Sequence, residues 1–209
     1  MNLILLGAPG AGKGTQAELL IEKLSIPAIS TGNMLREAMS NGSALGAQVK
    51  QFMEAGELVP DKLILGIVAE RVSQSDCQNG FILDGVPRTL SQAKALDAAG
   101  VAIDYVLSIE IADDVIEKRM TGRRICPGCG ASYHIVNNPP KTEGVCDLCA
   151  GELVIRKDDA PETVAKRLEV YHASTEVLKD YYQKQGKLRA IQGDQPIEQA
   201  YSDILKAIG

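Results

Sequence analysis

Apolar residues along this chain follow two patterns: short uninterrupted runs, and longer stretches in which they recur every three or four positions. Short apolar runs that end at glycine, proline or an acidic residue are typical of strands buried on both faces of a parallel sheet. Such runs occur at 2–6, 28–30, 81–84, 105–111 and 188–191. We therefore predict five strands, each followed by a segment with helical periodicity.

The longer stretches predict helices between the strands. Ala17, Leu20, Ile21 and Leu24 share one helical face directly after the first strand. Further helices are predicted at about 33–39, 45–55, from 61 onward, 89–99, 113–119 and from 196 onward. One longer amphipathic helix is indicated by Val164, Leu168, Tyr171, Leu178 and Tyr182. Strands that alternate with helices predict a three-layer α/β fold with a five-stranded parallel sheet.

Composition restricts the class of protein. The 209 residues are 45% hydrophobic and 23% charged, which fits one soluble globular domain with insertions. The formal net charge of −5 argues against general affinity for nucleic acid or anionic membranes. An anionic ligand would therefore need a local cluster of cations.

The expected setting is cytoplasmic. The sequence contains no stretch near the about 18 apolar residues of a membrane span. The first residues run directly into a strand, without the basic segment and cleavage site of a signal peptide. An odd number of cysteines, five, also fits a reducing compartment better than a secreted protein.

A glycine-rich segment between the first strand and the first helix carries the clearest chemical signal. Gly7, Gly12 and Lys13 satisfy G-x-x-x-x-G-K, the loop whose backbone N–H groups and lysine hold nucleotide phosphates. The usual hydroxyl residue after the lysine is Gly14, and Thr15 follows it. A glycine-rich turn with an incidental lysine is the alternative, which the flanking strand and helix disfavour.

Two C-x-x-C pairs, Cys126/Cys129 and Cys146/Cys149, lie within a glycine- and proline-rich segment at about 122–159. Four thiolates at this spacing predict one structural tetrahedral Zn²⁺, with no open position for catalysis. Iron in the same site is a minor alternative. Two disulfides are an alternative that a cytoplasmic setting disfavours, and a redox pair is disfavoured because the C-x-x-C pattern occurs twice.

Seven segments together resemble the adenylate kinase family, in its bacterial long form with a zinc-binding lid. They are GAPGAGKGT (7–15), STGNMLR (30–36), GELVPD (56–61), DGVPRT (84–89), TGRRICPGCG (121–130), CDLC (146–149) and DDAPETVAKRL (158–168). The segments occur in the family's order and span nearly the whole chain. One departure is Val86, where the family usually has an aromatic residue.

The resemblance implies a P-loop core with two insertions. The core comprises 1–29, 60–121 and 160–209, with a helical AMP-binding insertion at 30–59 and a small β-rich zinc lid at 122–159. The implied reaction is ATP + AMP ⇌ 2 ADP with Mg²⁺, in a site from which the closed lid excludes water. The implied partners are ATP, AMP and ADP in a monomeric enzyme, with no nucleic acid and no membrane.

The resemblance also implies roles for individual residues. The implied catalytic residues are Lys13, Arg88, Arg123, Arg156, Arg167, Asp158 and Asp159. The implied ATP-binding residues are Gly10, Ala11, Gly12, Lys13, Gly14, Thr15, Arg119, Arg123, Ser132, Tyr133 and Gln195. The implied AMP-binding residues are Thr31, Arg36, Glu57, Leu58, Val59, Gly85, Val86, Pro87, Arg88, Gln92, Arg156 and Arg167. Asp84 would hold Mg²⁺, directly or through water.

Some of these residues have structural alternatives. Gln92 follows Thr89 by three positions, which also matches a helix capping box. Asp158 and Asp159 precede Pro161 and could mark a helix start instead. Arg124 is expected to be a solvated surface residue.

Three rival functions remain at this stage. A kinase for UMP, CMP or GMP shares the same loop and arginines. A regulatory nucleotide switch is disfavoured because a guanine-reading N-K-x-D segment is absent. A zinc-knuckle nucleic-acid binder is disfavoured by the acidic charge and the lack of interleaved aromatic and basic residues.

Overall fold

The computed structural model describes all 209 residues. Its strands are β1 (Asn2–Leu6), β2 (Ala28–Ser30), β3 (Phe81–Asp84), β4 (Tyr105–Glu110), β5 (Arg123–Ile125), β6 (Ser132–His134) and β7 (Leu188–Gln192). Five of them form one parallel sheet in the order β2-β3-β1-β4-β7. The predicted five-stranded parallel sheet is therefore confirmed.

Nine α-helices connect and flank the strands. They are α1 (Lys13–Leu24), α2 (Thr31–Ser40), α3 (Ala44–Ala55), α4 (Asp61–Val72), α5 (Leu90–Ala98), α6 (Asp113–Gly122), α7 (Pro161–Val170), α8 (Leu178–Lys184) and α9 (Ile197–Ile208). None of them combines the length and the apolar composition that a membrane span requires.

The prediction of one continuous helix over 164–182 was wrong, because the segment is divided into two helices. A π-helical turn, Tyr171–Thr175, separates α7 from α8. In this turn the Glu176 N–H donates to the Tyr171 carbonyl, five positions back, at 2.9 Å. Apolar spacing did not reveal the turn, because Leu168, Tyr171 and Leu178 are all buried at regular intervals on both sides of it.

The core has two layers, one on each face of the sheet. Side chains alternate along β1: Ile4 and Leu6 join a cluster with α2, α3, α4, α5 and α8, whereas Leu3 and Leu5 join a cluster with α1 and α9. Full burial of one such aliphatic side chain stabilises the fold by about 1.5–3 kcal/mol. The sheet covered on both faces confirms the three-layer α/β architecture.

Parallel strands bring their carboxyl ends to one edge of the sheet. There β1 leads into the glycine-rich loop and β3 ends at Asp84, and the register places Leu5 of β1 opposite Asp84. Ligands in open α/β sheets bind at this edge. The fold therefore places the glycine-rich loop and Asp84 next to each other at the carboxyl edge of the sheet.

The segment between α6 and α7 forms a small separate layer. β5 and β6 pair antiparallel, with Arg123 opposite His134. Its buried apolar cluster contains four residues: Cys126, Tyr133, Cys146 and Leu153. So small a core supplies little hydrophobic stabilisation.

An imidazole links α6 to the π-helical turn. His172 Nε2 lies 2.9 Å from Asp113 Oδ2, and its Nδ1 lies 2.8 Å from Glu176 Oε2. Lys179 contacts Glu176 as well, with Nζ 3.2 Å from Oε1, and the Tyr171 ring packs edge-on against the imidazole. Only the protonated ring can donate to both carboxylates, so these hydrogen bonds raise the pKa of His172.

We expect His172→Gln to lower the free energy of unfolding more at pH 6 than at pH 9. The folded-state pKa lies above the unfolded value of about 6.5. The ion pairs therefore contribute fully below about pH 6.5, and their contribution is lost as the pH rises through the folded-state pKa. Because the imidazole is 43% exposed, the difference should not exceed about 1 kcal/mol. Urea unfolding at the two pH values measures it.

Lys118→Gln is the matched control for this substitution. It breaks an exposed pair with Asp114 on the same helix and removes no imidazole. Its effect should be the same at both pH values. An equal loss of stability for His172→Gln at pH 6 and pH 9 would contradict the assignment.

Candidate nucleotide site

The glycine-rich loop wraps around a lysine. Gly12, the residue before α1, has φ +98°, a left-handed conformation that a side chain strains. Lys13 Nζ donates to the carbonyls of Gly7 and Ala8, each at 2.8 Å. The ammonium group is thus held at the N-terminus of α1, where the helix dipole also favours an anion.

Lys13 has an unusual protonation equilibrium. Burial, opposed by the nearby Asp84 carboxylate and reinforced by Arg88, Arg167 and Arg123, lowers the pKa of its ammonium group to about 8. A bound phosphate would reverse this effect, because an adjacent negative charge favours the protonated form. The loop is therefore adapted to an anionic ligand.

A cleft of about 910 Å³ opens above the loop and contains most of the expected site residues. Those that line it are Gly10, Ala11, Gly12, Lys13, Gly14, Thr15, Arg36, Glu57, Leu58, Asp84, Gly85, Pro87, Arg88, Arg119, Arg123, Ser132, Tyr133, Arg156, Asp158, Arg167 and Gln195. This volume lies at the upper end of the range for small-molecule sites.

Besides Arg119, five arginines converge on this cleft from separate parts of the chain: Arg36, Arg88, Arg123, Arg156 and Arg167. Three are paired with acids that precede α7, Arg36 only through a long contact of 4.0 Å between its Nη1 and Asp158 Oδ2. Arg123 binds Asp159 through both Nε and Nη2, with Nε 2.8 Å from Oδ2. Arg167 Nη1 lies 2.9 Å from Asp158 Oδ2 and 3.5 Å from Asp159 Oδ1. The two acids therefore order the arginines on both sides of them.

Positive charge dominates the centre of the cleft. Burial lowers the pKa of Arg88, with Arg167 adding to the effect. Burial and the neighbouring Arg36 and Arg123 also lower the pKa of Arg156, and its buried Nε has no hydrogen-bond partner. A buried donor without a partner is costly, so this group favours an anionic ligand.

The Asp158 carboxyl is stabilised in its charged form by the same arginines. Burial alone would raise the pKa of its carboxyl, but Arg167, Arg36, Arg156 and Arg123 together outweigh burial and hold the pKa below its usual value. The carboxylate therefore stays ionised among the arginines.

Asp84 occupies the end of β3, opposite the loop. Ser30 Oγ donates to its Oδ2 at 3.2 Å, and the carboxylate faces the cleft that also contains Lys13. One carboxylate together with substrate phosphates and waters is the usual protein contribution to a Mg²⁺ site. The donor set thus fits a magnesium ion that arrives with a nucleotide.

A second, narrow cavity of about 20 Å³ adjoins the cleft. Its lining includes Thr31, Glu57, Leu58, Val59, Gly85 and Gln92. Gly85 has φ +83°, and a Cβ there would lie 2.8 Å from Thr31 Oγ1 and 3.1 Å from Arg88 Nη2. Any larger residue would therefore clash with the Thr31 hydroxyl and crowd the Arg88 guanidinium. Val86, by contrast, is buried in the core and lines neither cavity.

Gln92 forms only part of a capping box. Thr89 Oγ1 accepts from the Gln92 N–H at 3.1 Å, as in such a box. The Gln92 side chain instead accepts from the Arg88 N–H at 2.7 Å and donates to Asp61 Oδ1 at 2.7 Å. Its second amide hydrogen has no protein acceptor, so the residue can cap and still donate to a ligand.

The residues expected near the base of ATP differ in their surroundings. Arg119 Nη2 donates to the Gly193 carbonyl at 3.0 Å, and Gln195 Nε2 donates to Asp203 Oδ2 at 3.1 Å. Tyr133 is buried, and its hydroxyl accepts from the Asp147 N–H at 2.8 Å. The phenol is thus part of the small layer around the cysteines, although the residue also borders the cleft.

Sulfur atoms of Cys126, Cys129, Cys146 and Cys149 cluster in that same layer. All four Sγ atoms lie within 4.8 Å of one another, with Cys126 and Cys149 3.3 Å apart. Four thiolates about 2.3 Å from a tetrahedral Zn²⁺ would be separated by similar distances. The residues therefore fit a closed structural metal site that has no position left for substrate.

Two polar residues beside the site had not been predicted. Asp61 binds both Thr89 Oγ1 and Gln92 Nε2. Thr175, in the π-helical turn, donates to the Arg88 carbonyl at 2.8 Å. Asp61 ends the segment GELVPD, which carries part of the resemblance but assigns it no role. No local motif signals Thr175, although a polar position on an otherwise apolar helical face could have singled it out.

The fold and the site together define a P-loop protein with a cleft suited to the phosphates of a nucleotide. Comparison with known proteins is more specific, because the sequence profile described as adenylate kinase matches residues 5–187. Proteins named adenylate kinase from Caldicellulosiruptor bescii, Geobacillus sp. (strain WCH70) and Clostridioides difficile are 55%, 53% and 51% identical to this chain. Each alignment covers 100% of the chain and 99% of the relative. The chain belongs to the adenylate kinase family.

We expect the protein, purified without added metal, to contain about one zinc ion per chain. Cys146→Ser should reduce this content and make the segment 122–159 more sensitive to protease, because the metal supplies folding energy that the small core lacks. Elemental analysis and limited proteolysis measure the two effects. Cys77→Ser is the control, since this buried thiol lies outside the cluster. Metal-free protein with an equally resistant segment would refute a structural metal.

Proposed function

We propose that the chain catalyses ATP + AMP ⇌ 2 ADP. One observation carries the proposal: five arginines and Lys13 converge between the phosphate loop and the narrow cavity beside Gln92. A site built around positive charge suits phosphoryl transfer, which depends on positioning and on charge stabilisation more than on covalent chemistry by the protein.

In this reaction a phosphate oxygen of AMP attacks the γ-phosphorus of ATP. The bond from that phosphorus to the bridging oxygen breaks, and both products are ADP. Lys13 and the loop N–H groups would hold the β- and γ-phosphates of ATP. Arg88, Arg123, Arg156 and Arg167 would surround the transferred group, because planar guanidinium groups bind phosphate oxygens in pairs.

Asp158 and Asp159 would have an orienting role. They already bind Arg167 and Arg123 through their carboxylates. A guanidinium has five N–H donors, and these ion pairs use only some of them. The pairs therefore orient the arginines and leave other N–H groups available to a phosphate. The acids would thus keep the arginines ready for a nucleotide.

AMP would occupy the side of the cleft near β3. Arg36 and Arg88 would contact its phosphate, and Thr31, Gly85 and the backbone of 57–59 would surround its base and ribose. The free amide hydrogen of Gln92 would read the adenine edge. Arg119, Ser132, Tyr133 and Gln195 would line the opposite end, where the base of ATP would bind.

Asp84 would contribute to holding Mg²⁺, directly or through water. The metal ion would neutralise charge on the ATP phosphates. The position of Asp84 supports this role, because it ends a buried strand beside the strand that leads into the phosphate loop.

The cysteine cluster would hold zinc with a purely structural role.

We further propose that 30–59 and 122–159 act as two mobile insertions on the core formed by 1–29, 60–121 and 160–209. Contacts join them in this structure: Arg36 Nη1 lies 4.0 Å from Asp158 Oδ2, and Lys157 Nζ lies 3.6 Å from Glu54 Oε1. Such weak, long pairs permit opening. Closure would exclude water and so prevent ATP hydrolysis. We expect a cytoplasmic monomer.

A panel of nucleoside monophosphates tests the substrate. With ATP and Mg²⁺, we expect AMP to be phosphorylated with a kcat/KM at least about tenfold above that of UMP, CMP or GMP, because a polar base edge discriminates by hydrogen bonds. Coupled detection of ADP measures the rates. Preference for UMP or CMP would instead support the alternative of another monophosphate kinase, and absence of multiple turnover would support a nucleotide switch.

Adjacent arginines on β5 test the proposed chemistry. Arg123→Met should lower kcat/KM by about 10²–10³, as loss of one charge-stabilising group commonly does. Arg124→Met is the matched control, because Arg124 is absent from the cleft and donates to the Thr121 and Arg123 carbonyls. We expect it to change kcat/KM by less than about threefold. Similar losses for both variants would indicate a structural role for the strand.

A further inference from the structure

Thr175 is the polar member of a buried helical face. Leu168, Tyr171, Leu178 and Tyr182 on the same face are buried and apolar, and Thr175 itself is only 6% exposed. A buried hydroxyl needs a hydrogen-bond partner. In a helix that partner is often the carbonyl four positions back.

The hydroxyl of Thr175 binds a different group. Its Oγ1 donates to the main-chain carbonyl of Arg88 at 2.8 Å, across 87 positions of sequence. The Tyr171 carbonyl, four positions back, accepts from the Glu176 N–H of the π-helical turn instead. Turns of this kind are frequent at functional sites, and Thr175 also lines the large cleft.

The main chain of Arg88 is held from its other side as well. Its N–H donates to Gln92 Oε1 at 2.7 Å, and Asp61 fixes the orientation of that amide. The guanidinium Nε donates to the Gly85 carbonyl at 2.9 Å. The base of the side chain is therefore immobilised, whereas the terminal nitrogens have no protein acceptor and remain available for a ligand.

We propose that Thr175 is a positioning residue for phosphoryl transfer, which acts by holding the Arg88 carbonyl and thereby aligning the Arg88 guanidinium with the transferred phosphate. This inference rests on the proposed function, in which Arg88 contacts the reacting groups. Thr175 itself touches no reacting atom, so its effect passes entirely through Arg88. Phosphoryl transfer is sensitive to such alignment, since a misplacement of about 1 Å can cost about 10²-fold in rate.

Thr175→Val tests the hydrogen bond, because valine keeps the shape and removes the hydroxyl. We expect kcat to fall about tenfold while the KM for ATP changes less than about twofold, since misalignment affects the transition state more than ATP binding. Thr175→Ser, which keeps the hydroxyl and loses the methyl group, should retain kcat within about threefold. Steady-state kinetics, normalised to active protein by ATP-binding titration, separate these effects from partial unfolding.

Thr121→Val is the matched control. Its hydroxyl also donates to a main-chain carbonyl, that of Lys118 at 2.9 Å, but the residue is exposed and does not line the cleft. This substitution should leave kcat unchanged. If Thr175→Ser loses as much activity as Thr175→Val, packing of the methyl group matters and the inference is overturned.

A double-mutant cycle with Arg88→Lys isolates the coupling. If Thr175 acts through Arg88, Thr175→Val should lower kcat less than about twofold in the Arg88→Lys background, because the alignment is already lost. Independent, multiplicative losses would overturn the inference. A wild-type protein without activity on ATP and AMP would overturn the proposed function itself. An active wild type with an equally active Thr175→Val variant would overturn this inference alone.

Discussion

Excess positive charge in a partly buried cleft is the constraint on which this site depends. Lys13, Arg88 and Arg156 form no ion pair within the protein, and burial lowers the pKa of each of them. The only carboxylates paired with Arg36, Arg123 and Arg167 are Asp158 and Asp159. Charges that are buried without partners cost free energy. A ligand with several phosphates would offset that cost, which would allow specific anion binding by a chain whose net charge is −5.

The parallel sheet makes this concentration of charge possible. Its strands deliver the glycine-rich loop and Asp84 to one edge, so two chemically opposite groups face each other across β1 and β3. The arginines come from elements outside the sheet: Arg36 on α2, Arg123 on β5 and Arg167 on α7. Because the sheet is stabilised by aliphatic burial on both faces, the core tolerates the electrostatic strain at its edge.

Sequence predicted the features that depend on local spacing. The five strands follow from short apolar runs, and the four cysteines from two C-x-x-C pairs. The convergence of the arginines came only from the family resemblance, since spacing does not reveal contacts between Arg123 and Asp159, 36 positions apart. The hydrogen-bond partners of Asp61 and Thr175 could not be predicted from local spacing, because they lie 31 and 87 positions away. The π-helical turn was hidden for a related reason: it leaves the apolar spacing intact.

The cysteine cluster lies next to the strand that carries Arg123, so a metal ion bound there would restrict the position of this arginine. β5 and β6 are three-residue strands, and the layer that contains them buries few apolar side chains, while Val136 and Leu148 remain 74% and 77% exposed. Such a layer cannot hold Arg123 in place by hydrophobic packing alone. Arg123 begins the strand that leads directly into Cys126, so a metal ion bound by the four thiolates would fix the strand at one end. Asp159 binds the guanidinium at the other end, and together the metal ion and Asp159 would give this layer a rigid surface that presents Arg123 to the cleft.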